Sequence, residues 1–520
     1  MDQLHEPLVN RSMIFPLTTF TLIILILVFI IFFPSLSSCF QRMMSSSIFC
    51  SCEICQAYLT SSWSKDFNNL SDWYTHLLKK SPTKTIHIHV LRNTITSNSE
   101  NVEYMLKTKF ENYPKGKPFS MILGDFLGRG IFNVDGELWK FQKKMASLEI
   151  NKHSIRSFAF EVVNNEIQNR LIPLLQNQND VVLDLQDVFK RLSFDAICRF
   201  SFGLDPMCLE KSLPMSDFAL SFDLASKLSA ERAMTVSPLI WKIKRFFNLG
   251  SEKELKKSIT MINTLAKVVI NQRRKMGFCD QKDLLSRFMS TVQDDIFLRD
   301  IVISFLLAGR DTVASSLTSF FWLLAKNPEV ESQILLEAER VIGIGKHNKN
   351  NNNINVVTNF EQLTKLHYLE AATHESMRLY PPIQFDSKFC LEDDVLPDGT
   401  KVKSGTRVTY HPYAMGRLEE LWGPDCLEFK PQRWLKDGVF HPQNQFKYPI
   451  FQGGLRVCIG KEMALMELKT VVLSLLTNFH FELADQNTFH GFNHLPRFSP
   501  GLTATFAFGL PVFVRQRGNQ

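Results

Sequence analysis

The hydrophobic pattern of the chain opens with one long apolar run near the N terminus. No Asp, Glu, Lys, Arg or His lies between Arg11 and Arg42, and residues 15–33 are nearly all apolar. A helix needs about 20 such residues to cross the bilayer core, whereas a cleaved signal peptide usually has an apolar run of only about 7–15 residues. The pattern therefore predicts a retained transmembrane helix over residues 14–36, preceded by an N-terminal tail of residues 1–13.

Beyond this anchor, apolar positions recur mostly at the spacing of an α-helix. The spacing is clearest in three segments, residues 162–175, 188–202 and 296–324. The last of these has so few interior charges that both faces of its helix should be buried. Short strands are predicted only within residues 85–90 and 386–412. The chain is therefore expected to be mainly α with a minor β part: a linker and leading segment, residues 37–80, and then a single large domain, residues 81–520.

Composition and charge narrow the range of partners. The chain is 45% hydrophobic and 21% charged, and its formal net charge is +7. Its basic residues are scattered, whereas nucleic-acid binding usually needs a clustered basic patch, so no nucleic-acid partner is expected. A mildly basic surface suits an acidic partner protein or an anionic membrane. By the positive-inside rule, the basic residues that follow the anchor place the C-terminal part in the cytosol: Arg42, Lys65, Lys79 and Lys80.

The ten cysteines are spread unevenly along the chain. A disulfide framework is typical of small secreted chains, so reduced thiols in a cytosol-facing domain are expected. Cys50, Cys52 and Cys55 are spaced like metal ligands, but a structural zinc site needs four ligands. Cys39 is the nearest fourth candidate. The alternative is that these cysteines belong to a solvated segment beside the membrane.

One further cysteine lies in a glycine-rich loop directly before a predicted helix. The loop runs from Phe451 to Gly460 with the sequence FQGGLRVCIG, and the helix starts at Lys461. Glycines permit positive φ and close backbone approach, while unpaired N–H groups at a helix start favour a thiolate at Cys458. Such a loop can present one sulfur to an iron, and a thiolate axial ligand favours O–O cleavage by haem.

The predicted helix over residues 296–324 carries a polar pair within an apolar stretch. Ala308 and Thr312 lie four residues apart and so share a helix face. Asp311 precedes the threonine, and Gly309 permits close approach of a bulky group. Thr312 either bonds back to the carbonyl of Ala308, which is common for threonine in a helix, or supplies a hydroxyl for proton transfer.

These motifs resemble those of the cytochrome P450 superfamily, whose signature is Phe-x-x-Gly-x-Arg-x-Cys-x-Gly. The residues that match it in register are Phe451, Gly454, Arg456, Cys458 and Gly460. Gly453 stands where the family commonly has alanine, and Leu455 stands where it commonly has proline, a loss expected to loosen the loop. The resemblance implies a P450 fold with one haem-containing domain, iron held by Cys458, and electrons from NADPH through a partner NADPH–cytochrome reductase.

The resemblance also implies roles for residues elsewhere in the chain. Asp311 and Thr312 match the family's acid–alcohol pair, which delivers protons to dioxygen at the haem. Haem contacts are implied for Phe451, Arg456, Trp139, Lys143 and Lys388, with Lys143 standing where the family usually has arginine. The family's buried structural triad corresponds to Glu375, Arg378 and Arg433. The implied substrate-lining positions are Ile131, Phe132, Ala308, Phe385 and Leu502.

At a finer grain the sequence is similar to the plant fatty-acid ω-hydroxylase clan. Four stretches carry that similarity, residues 112–117, 127–132, 384–388 and 408–416. Residues 182–188 and 500–504 are similar to the branch that oxidises jasmonoyl-isoleucine. The resemblance implies O2-dependent oxidation of the terminal carbon of a small amphipathic carboxylate, with jasmonoyl-isoleucine as first choice and a free fatty acid as second.

The same resemblance implies a single-pass protein in the endoplasmic reticulum membrane, in contact with lipid, with its catalytic domain in the cytosol. Lys447 and Lys461 are candidate reductase contacts, although both could be simply solvated. Two other kinds of protein would also keep Cys458. A haem-thiolate isomerase needs neither a reductase nor the threonine, and a non-catalytic haem-binding protein does not need Asp311 and Thr312 together.

Overall fold

The computed structural model describes residues 50–177, 181–210, 217–277, 282–343, 360–484 and 495–517. Helices predominate within these ranges, as the apolar spacing predicts. They are α1 (Glu53–Thr60), α2 (Leu70–Lys80), α3 (Ser99–Glu103), α4 (Gly116–Leu127), α5 (Gly136–Ile150), α6 (His153–Glu166), α7 (Ile172–Gln176), α8 (Leu185–Phe202), α9 (Asp217–Met234), α10 (Pro238–Phe246), α11 (Gly250–Met276), α12 (Leu284–Met289), α13 (Asp295–Leu306), α14 (Thr312–Lys326), α15 (Pro328–Ile342), α16 (Phe360–Thr364), α17 (His367–Leu379), α18 (Pro412–Met415), α19 (Glu419–Trp422) and α20 (Lys461–Asn478).

The strands are short and form small sheets. They are β1 (Thr85–Ile88), β2 (Asn93–Thr96), β3 (Leu183–Asp184), β4 (Asp386–Phe389), β5 (Asp394–Val395), β6 (Lys401–Val402), β7 (Arg407–Tyr410), β8 (Leu435–Lys436), β9 (Val439–Phe440), β10 (Phe479–Leu483), β11 (Phe498–Ser499), β12 (Thr505–Phe506) and β13 (Pro511–Gln516). The largest described sheet has the order β1-β2-β7-β4, in which β2 and β7 run parallel and the other pairs antiparallel. The fold is thus mainly helical with a minor β part.

The helices α13 and α14 form one long helix, interrupted by a π-helical turn at Leu307–Asp311. It covers Asp295–Lys326, slightly more than the predicted residues 296–324. Among the described residues it is the one helix long and apolar enough to cross a membrane, but 67% of its apolar window is buried inside the protein. It packs against α8, α17 and α20, so it is the central helix of the core, as its apolar faces require.

The described part of the leading segment is folded onto the first sheet. Cys55 of α1 and Trp73 and Leu78 of α2 are buried in one apolar cluster with Ile88 of β1 and Ala414 of α18. The helices α1 and α2 therefore pack against the domain and do not form an extended linker. The transmembrane helix predicted over residues 14–36 lies outside the described residues.

Candidate active site

The cysteine loop is a tight turn that places Cys458 before α20. The Cys458 amide donates to the Phe451 carbonyl at 2.8 Å, which closes the loop. Gly454 has φ of 57°, and a Cβ there would collide with the backbone carbonyl of Leu106. Glycine is therefore required at this position. The loop fixes the direction of the sulfur through its backbone.

The Cys458 sulfur faces a large internal cavity. The cavity has a volume of about 1200 Å³ and runs from the cysteine loop to the central helix and the edge of the first sheet. Cys458 is exposed, but the surface that it exposes lines this cavity. Burial raises the pKa of its thiol, opposed by the Gly460 amide and by the charges of Lys143 and Lys461. The thiolate expected from the helix start is thus not favoured by position alone; a bound metal ion deprotonates such a thiol outright.

The five predicted substrate-lining residues all lie on the wall of this cavity: Ile131, Phe132, Ala308, Phe385 and Leu502. They come from four separate parts of the chain, which the sequence alone does not bring together. Most of the wall is apolar, as a site for an apolar ligand requires.

The two members of the polar pair point to different sides of the central helix. Thr312 lines the cavity, and its hydroxyl donates to the Ala308 carbonyl at 2.6 Å. Asp311 is buried on another side, where its Oδ1 lies 3.2 Å from Nη1 of Arg310 without forming a hydrogen bond. Burial raises the pKa of Asp311 to about 6, partly opposed by Arg310. π-turns inside α-helices occur often at functional sites.

Arg310 connects Asp311 to groups nearer the surface. Its Nη1 donates to Asp223 of α9 at 2.5 Å, and Lys190 of α8 lies 3.2 Å from the other Asp223 oxygen. A Cβ at position 309 would collide with the Ile197 side chain of α8, so the packing of these two helices requires glycine there. The bulky neighbour expected at this glycine is therefore a packed side chain of the protein.

Three predicted haem contacts cluster beside the sulfur. The Arg456 guanidinium lies 4.4 Å from the centre of the Trp139 ring and donates to Asp135 at 2.5 Å. Lys143, one turn after Trp139 on α5, donates to the carbonyl of Leu455. Lys143 thus holds the loop at the position where the family's usual proline is missing.

Lys388 reaches the cavity from the edge strand β4. Its Nζ lies 2.8 Å from Asp386, which also pairs with Lys115. Burial lowers the pKa of Lys388 to about 7, partly opposed by Asp386. Burial would raise the pKa of Asp386, but the two lysines hold it well below its usual range.

The residues Glu375, Arg378 and Arg433 form a closed ion-pair network away from the cavity. Arg378 donates to both oxygens of Glu375, at 2.7 and 2.8 Å. Arg433 adds a third bond at 3.2 Å, and the Trp434 indole a fourth at 2.9 Å. Glu375 and Arg378 are completely buried. Because Arg433 and Trp434 come from the segment before the cysteine loop, the network connects α17 to that segment.

Comparison with known proteins identifies the family. A family model described as Cytochrome P450 matches residues 60–501. The chain is 57% identical over 475 residues to cytochrome P450 94C1 of Arabidopsis thaliana, covering 90% of this chain and 94% of that protein. It is 44% identical to cytochrome P450 94B1 of Arabidopsis thaliana, with 88% and 89% covered, and 40% identical to cytochrome P450 94A1 of Vicia sativa, with 88% of each covered.

The chain belongs to the cytochrome P450 family. It is a haem monooxygenase that uses O2 and takes electrons from NADPH through a separate reductase, as the sequence predicts.

The donor set of this P450 suits haem. Cys458 would supply the sulfur for the iron, and the apolar wall suits the porphyrin. Arg456, Lys388 and Lys143 line the same cavity and would supply positive charge for the two carboxylates of the haem. Phe451 and Trp139 add aromatic surface to the same wall.

Several acids form ion pairs with residues of the P450 site and are not among the residues predicted from the sequence. Asp386 stands two residues before Lys388, so strand alternation alone would have placed both on one face. Asp135 and Asp223 are far in sequence from the arginines that they bind, Arg456 and Arg310. No local pattern marks either acid.

The three N-terminal cysteines come together in the structure. The sulfur atoms of Cys50, Cys52 and Cys55 lie within 4.8 Å of one another. Burial raises the pKa of Cys55 to about 11. The fourth candidate ligand, Cys39, lies outside the described residues, so the choice between a metal site and a segment without metal stays open.

Proposed function

We propose that this P450 oxidises the terminal carbon of an amphipathic carboxylate, with jasmonoyl-isoleucine as the preferred substrate. Oxidation would pass through the 12-hydroxy form to the 12-carboxy form in jasmonate turnover. The observation that carries the proposal is one largely apolar cavity that joins the Cys458 sulfur to Thr312 and extends to charged groups at the sheet edge. Such a cavity accepts a molecule with an apolar end and an acidic end.

When bound, the haem supplies oxygen activation, with electrons from the reductase. Cys458 ligates its iron. Arg456, Trp139, Lys143 and Lys388 hold its edge and its two carboxylates, with Phe451 packed beside the loop. These roles rest on position in the cavity wall and on charge.

The acid–alcohol pair handles protons. Thr312 presents its hydroxyl to the cavity while donating to the Ala308 carbonyl, which leaves its oxygen lone pairs free to accept. Asp311 has a pKa raised to about 6 by burial, so it can bind and release a proton near neutral pH. Ion pairs of Arg310, Asp223 and Lys190 lead from Asp311 toward the surface. The charges of Arg310 and Lys190 lower the pKa of Asp311, and that of Asp223 raises it.

The wider organisation is part of the same proposal. Residues 14–36 anchor the chain in the endoplasmic reticulum membrane in a single pass, residues 37–80 lead into the domain, and residues 81–520 act in the cytosol. Lys447 and Lys461 contact the acidic reductase near the cysteine loop. Lys447 lies 4.3 Å from the centre of the Trp422 ring and Lys461 5.6 Å from that of Phe451.

A free fatty acid is the second candidate substrate, since the apolar wall would accept either molecule. Microsomes that contain the full chain and the reductase should be given NADPH with jasmonoyl-isoleucine or dodecanoic acid, and the products identified by mass spectrometry. Terminal oxidation with a higher kcat/KM for jasmonoyl-isoleucine supports the proposal. Oxidation of the fatty acid alone would make a fatty acid, and not jasmonoyl-isoleucine, the substrate. Absence of product from both would refute the proposal of terminal oxidation.

The Cys458 variant tests the metal ligand in the same membranes. Cys458→Ser should abolish the red-shifted Soret band that thiolate-bound haem gives with carbon monoxide, together with all product. Cys426→Ser is the matched control, because Cys426 is buried outside the cavity and its thiol donates only to the Arg417 carbonyl. A Cys458→Ser protein that kept the band would overturn the assignment.

A further inference from the structure

Arg407 is one of three cations on the described cavity wall that have no carboxylate partner; the others are Lys143, which bonds to the Leu455 carbonyl, and the exposed Arg497. Arg407 is the first residue of β7 and lines the cavity. Lys388 pairs with Asp386 and Arg456 with Asp135. No carboxylate of the described residues lies within 4.0 Å of the Arg407 guanidinium. Its charge is therefore not balanced by the part of the protein that the structure describes.

The immediate surroundings of Arg407 are neutral. Its Nη1 donates to the backbone carbonyl of Ala233 at 3.0 Å, and its Nε is buried without a hydrogen-bond partner among the described residues. Tyr58 and Tyr74 are the titratable groups that interact electrostatically with it. Burial raises the pKa of Tyr58 to about 12 and that of Tyr74 well above 10, so both phenols stay uncharged.

A charged guanidinium without a carboxylate partner favours the binding of an anion. Burial lowers the pKa of Arg407, but arginine remains protonated in proteins. A buried charge with an unused donor is costly unless it is paired. The planar fork of arginine matches a carboxylate, which can accept two parallel hydrogen bonds from it. We propose that Arg407 is the subsite that binds the carboxylate of the organic substrate.

This subsite rests on the proposed function and deepens it. Arg407 stands on the first sheet, whereas Thr312 stands on the central helix, and both line the same cavity. A substrate held by its acid group at Arg407 presents its opposite end to Thr312 and Cys458. Under the proposed function, this orientation would favour oxidation at the terminal carbon. Arg456 and Lys388 are paired with acids, and Lys143 donates to the Leu455 carbonyl.

Binding of acids and their methyl esters tests the subsite directly. The full-length haem protein should be titrated with jasmonoyl-isoleucine, dodecanoic acid and the methyl ester of each, and Kd read from the ligand-induced change in haem absorption. The wild type should bind each acid about 10- to 100-fold more tightly than its ester, the range expected for charge-assisted hydrogen bonds. Arg407→Gln should lose most of this preference, and Arg407→Lys should keep part of it, because lysine retains charge but not the fork.

Two further arginines are the controls. Arg497 is exposed on the same cavity wall and is the rival cation, whereas Arg515 lies outside it and pairs with Glu482. Arg497→Gln and Arg515→Gln should both keep the acid preference. The proposal is overturned if Arg407→Gln or Arg407→Lys binds acid and ester as the wild type does, if the wild type itself does not distinguish them, or if the loss follows Arg497→Gln.

The two ligand families distinguish the sources of the acid group. Loss of preference in the Arg407 variants for both acids supports a shared carboxylate subsite, and the tighter wild-type acid indicates the physiological source. Failure of the proposed function looks different: the wild type would bind acids in preference to esters but form no terminally oxidised product. The carbon monoxide band of each variant shows that the haem site is intact, and Arg407→Lys carries the test if Arg407→Gln does not fold.

Discussion

Two buried arginine–carboxylate groups in this P450 differ in how completely they are paired. On α17, Arg378 uses every nitrogen, donating to Glu375 and to the carbonyls of Gly416, Cys426 and Glu428. On the central helix, the Nε of Arg310 and the Oδ1 of Asp311 have no hydrogen-bond partner among the described residues. A closed network fixes structure, whereas unused donors and acceptors beside a cavity are available for chemistry. The comparison predicts that damage to the first group affects folding, whereas changes on the central helix at Thr312 and Asp311 affect turnover and the pH dependence of stability.

The largest effect should come from breaking the closed group. Arg378→Ala leaves the Glu375 carboxylate buried with part of its partners gone, which costs roughly 3–5 kcal/mol. We expect little haem-loaded protein, measured as the carbon monoxide band per amount of chain in the membranes. Arg340→Ala, at an exposed position of α15, is the control and should load haem normally. Normal haem content in Arg378→Ala would contradict a structural role for the network.

A smaller effect, on turnover alone, should come from Thr312→Ala. The variant keeps the helix but removes the hydroxyl that faces the cavity, so NADPH use should continue while product per NADPH falls about tenfold or more. Thr318 is a matched control on the same helix, because its hydroxyl donates to the Ala314 carbonyl at 2.7 Å away from the cavity. If Thr312→Ala and Thr318→Ala show equal coupling, Thr312 has only the helix-bonding role.

The sequence predicts the parts of this comparison that local patterns encode. The central helix follows from an apolar run with few charges, and the Cys458 loop from its glycines and the helix after it. Glu375 and Arg378 are one turn apart, so their pairing is readable from spacing. The back-bond of Thr312 to Ala308 was one of the two interpretations of that motif, and it coexists with a hydroxyl on the cavity wall.

The sequence does not predict pairings that depend on the tertiary fold. Asp223 of α9 reaches Arg310 only because α9 packs near the central helix. Arg407 belongs to a strand whose alternation gives its face but not the cavity beside it. Asp311 and Thr312 are adjacent, and adjacent residues of a helix point in different directions, but which of the two faces the cavity is set by the tertiary packing. Charge balance is therefore visible only once distant elements are assembled.

The smallest expected effect sharpens the comparison through pH. The pKa of Asp311 rises from 3.8 to about 6 on folding, chiefly through burial. The folded state therefore binds the proton more tightly, and the stability that this provides is lost as pH rises through about 6. Wild type should lose about 1 kcal/mol more than Asp311→Asn between about pH 5 and 7.5, in the free energy of unfolding.

Asp437→Asn, at an exposed turn between β8 and β9, is the control for this measurement and should follow the wild type. The charged groups that face Asp311 are Arg310, Asp223 and Lys190, and Asp311→Asn leaves all three in place. The pH difference between wild type and variant thus isolates the proton on Asp311. If the free energy of unfolding changed equally with pH in wild type and Asp311→Asn, this carboxyl would stay ionised down to acidic pH. Asp311 would then not change its protonation state near neutral pH, and the contrast between the Arg310–Asp311 group and the network around Glu375 would fail.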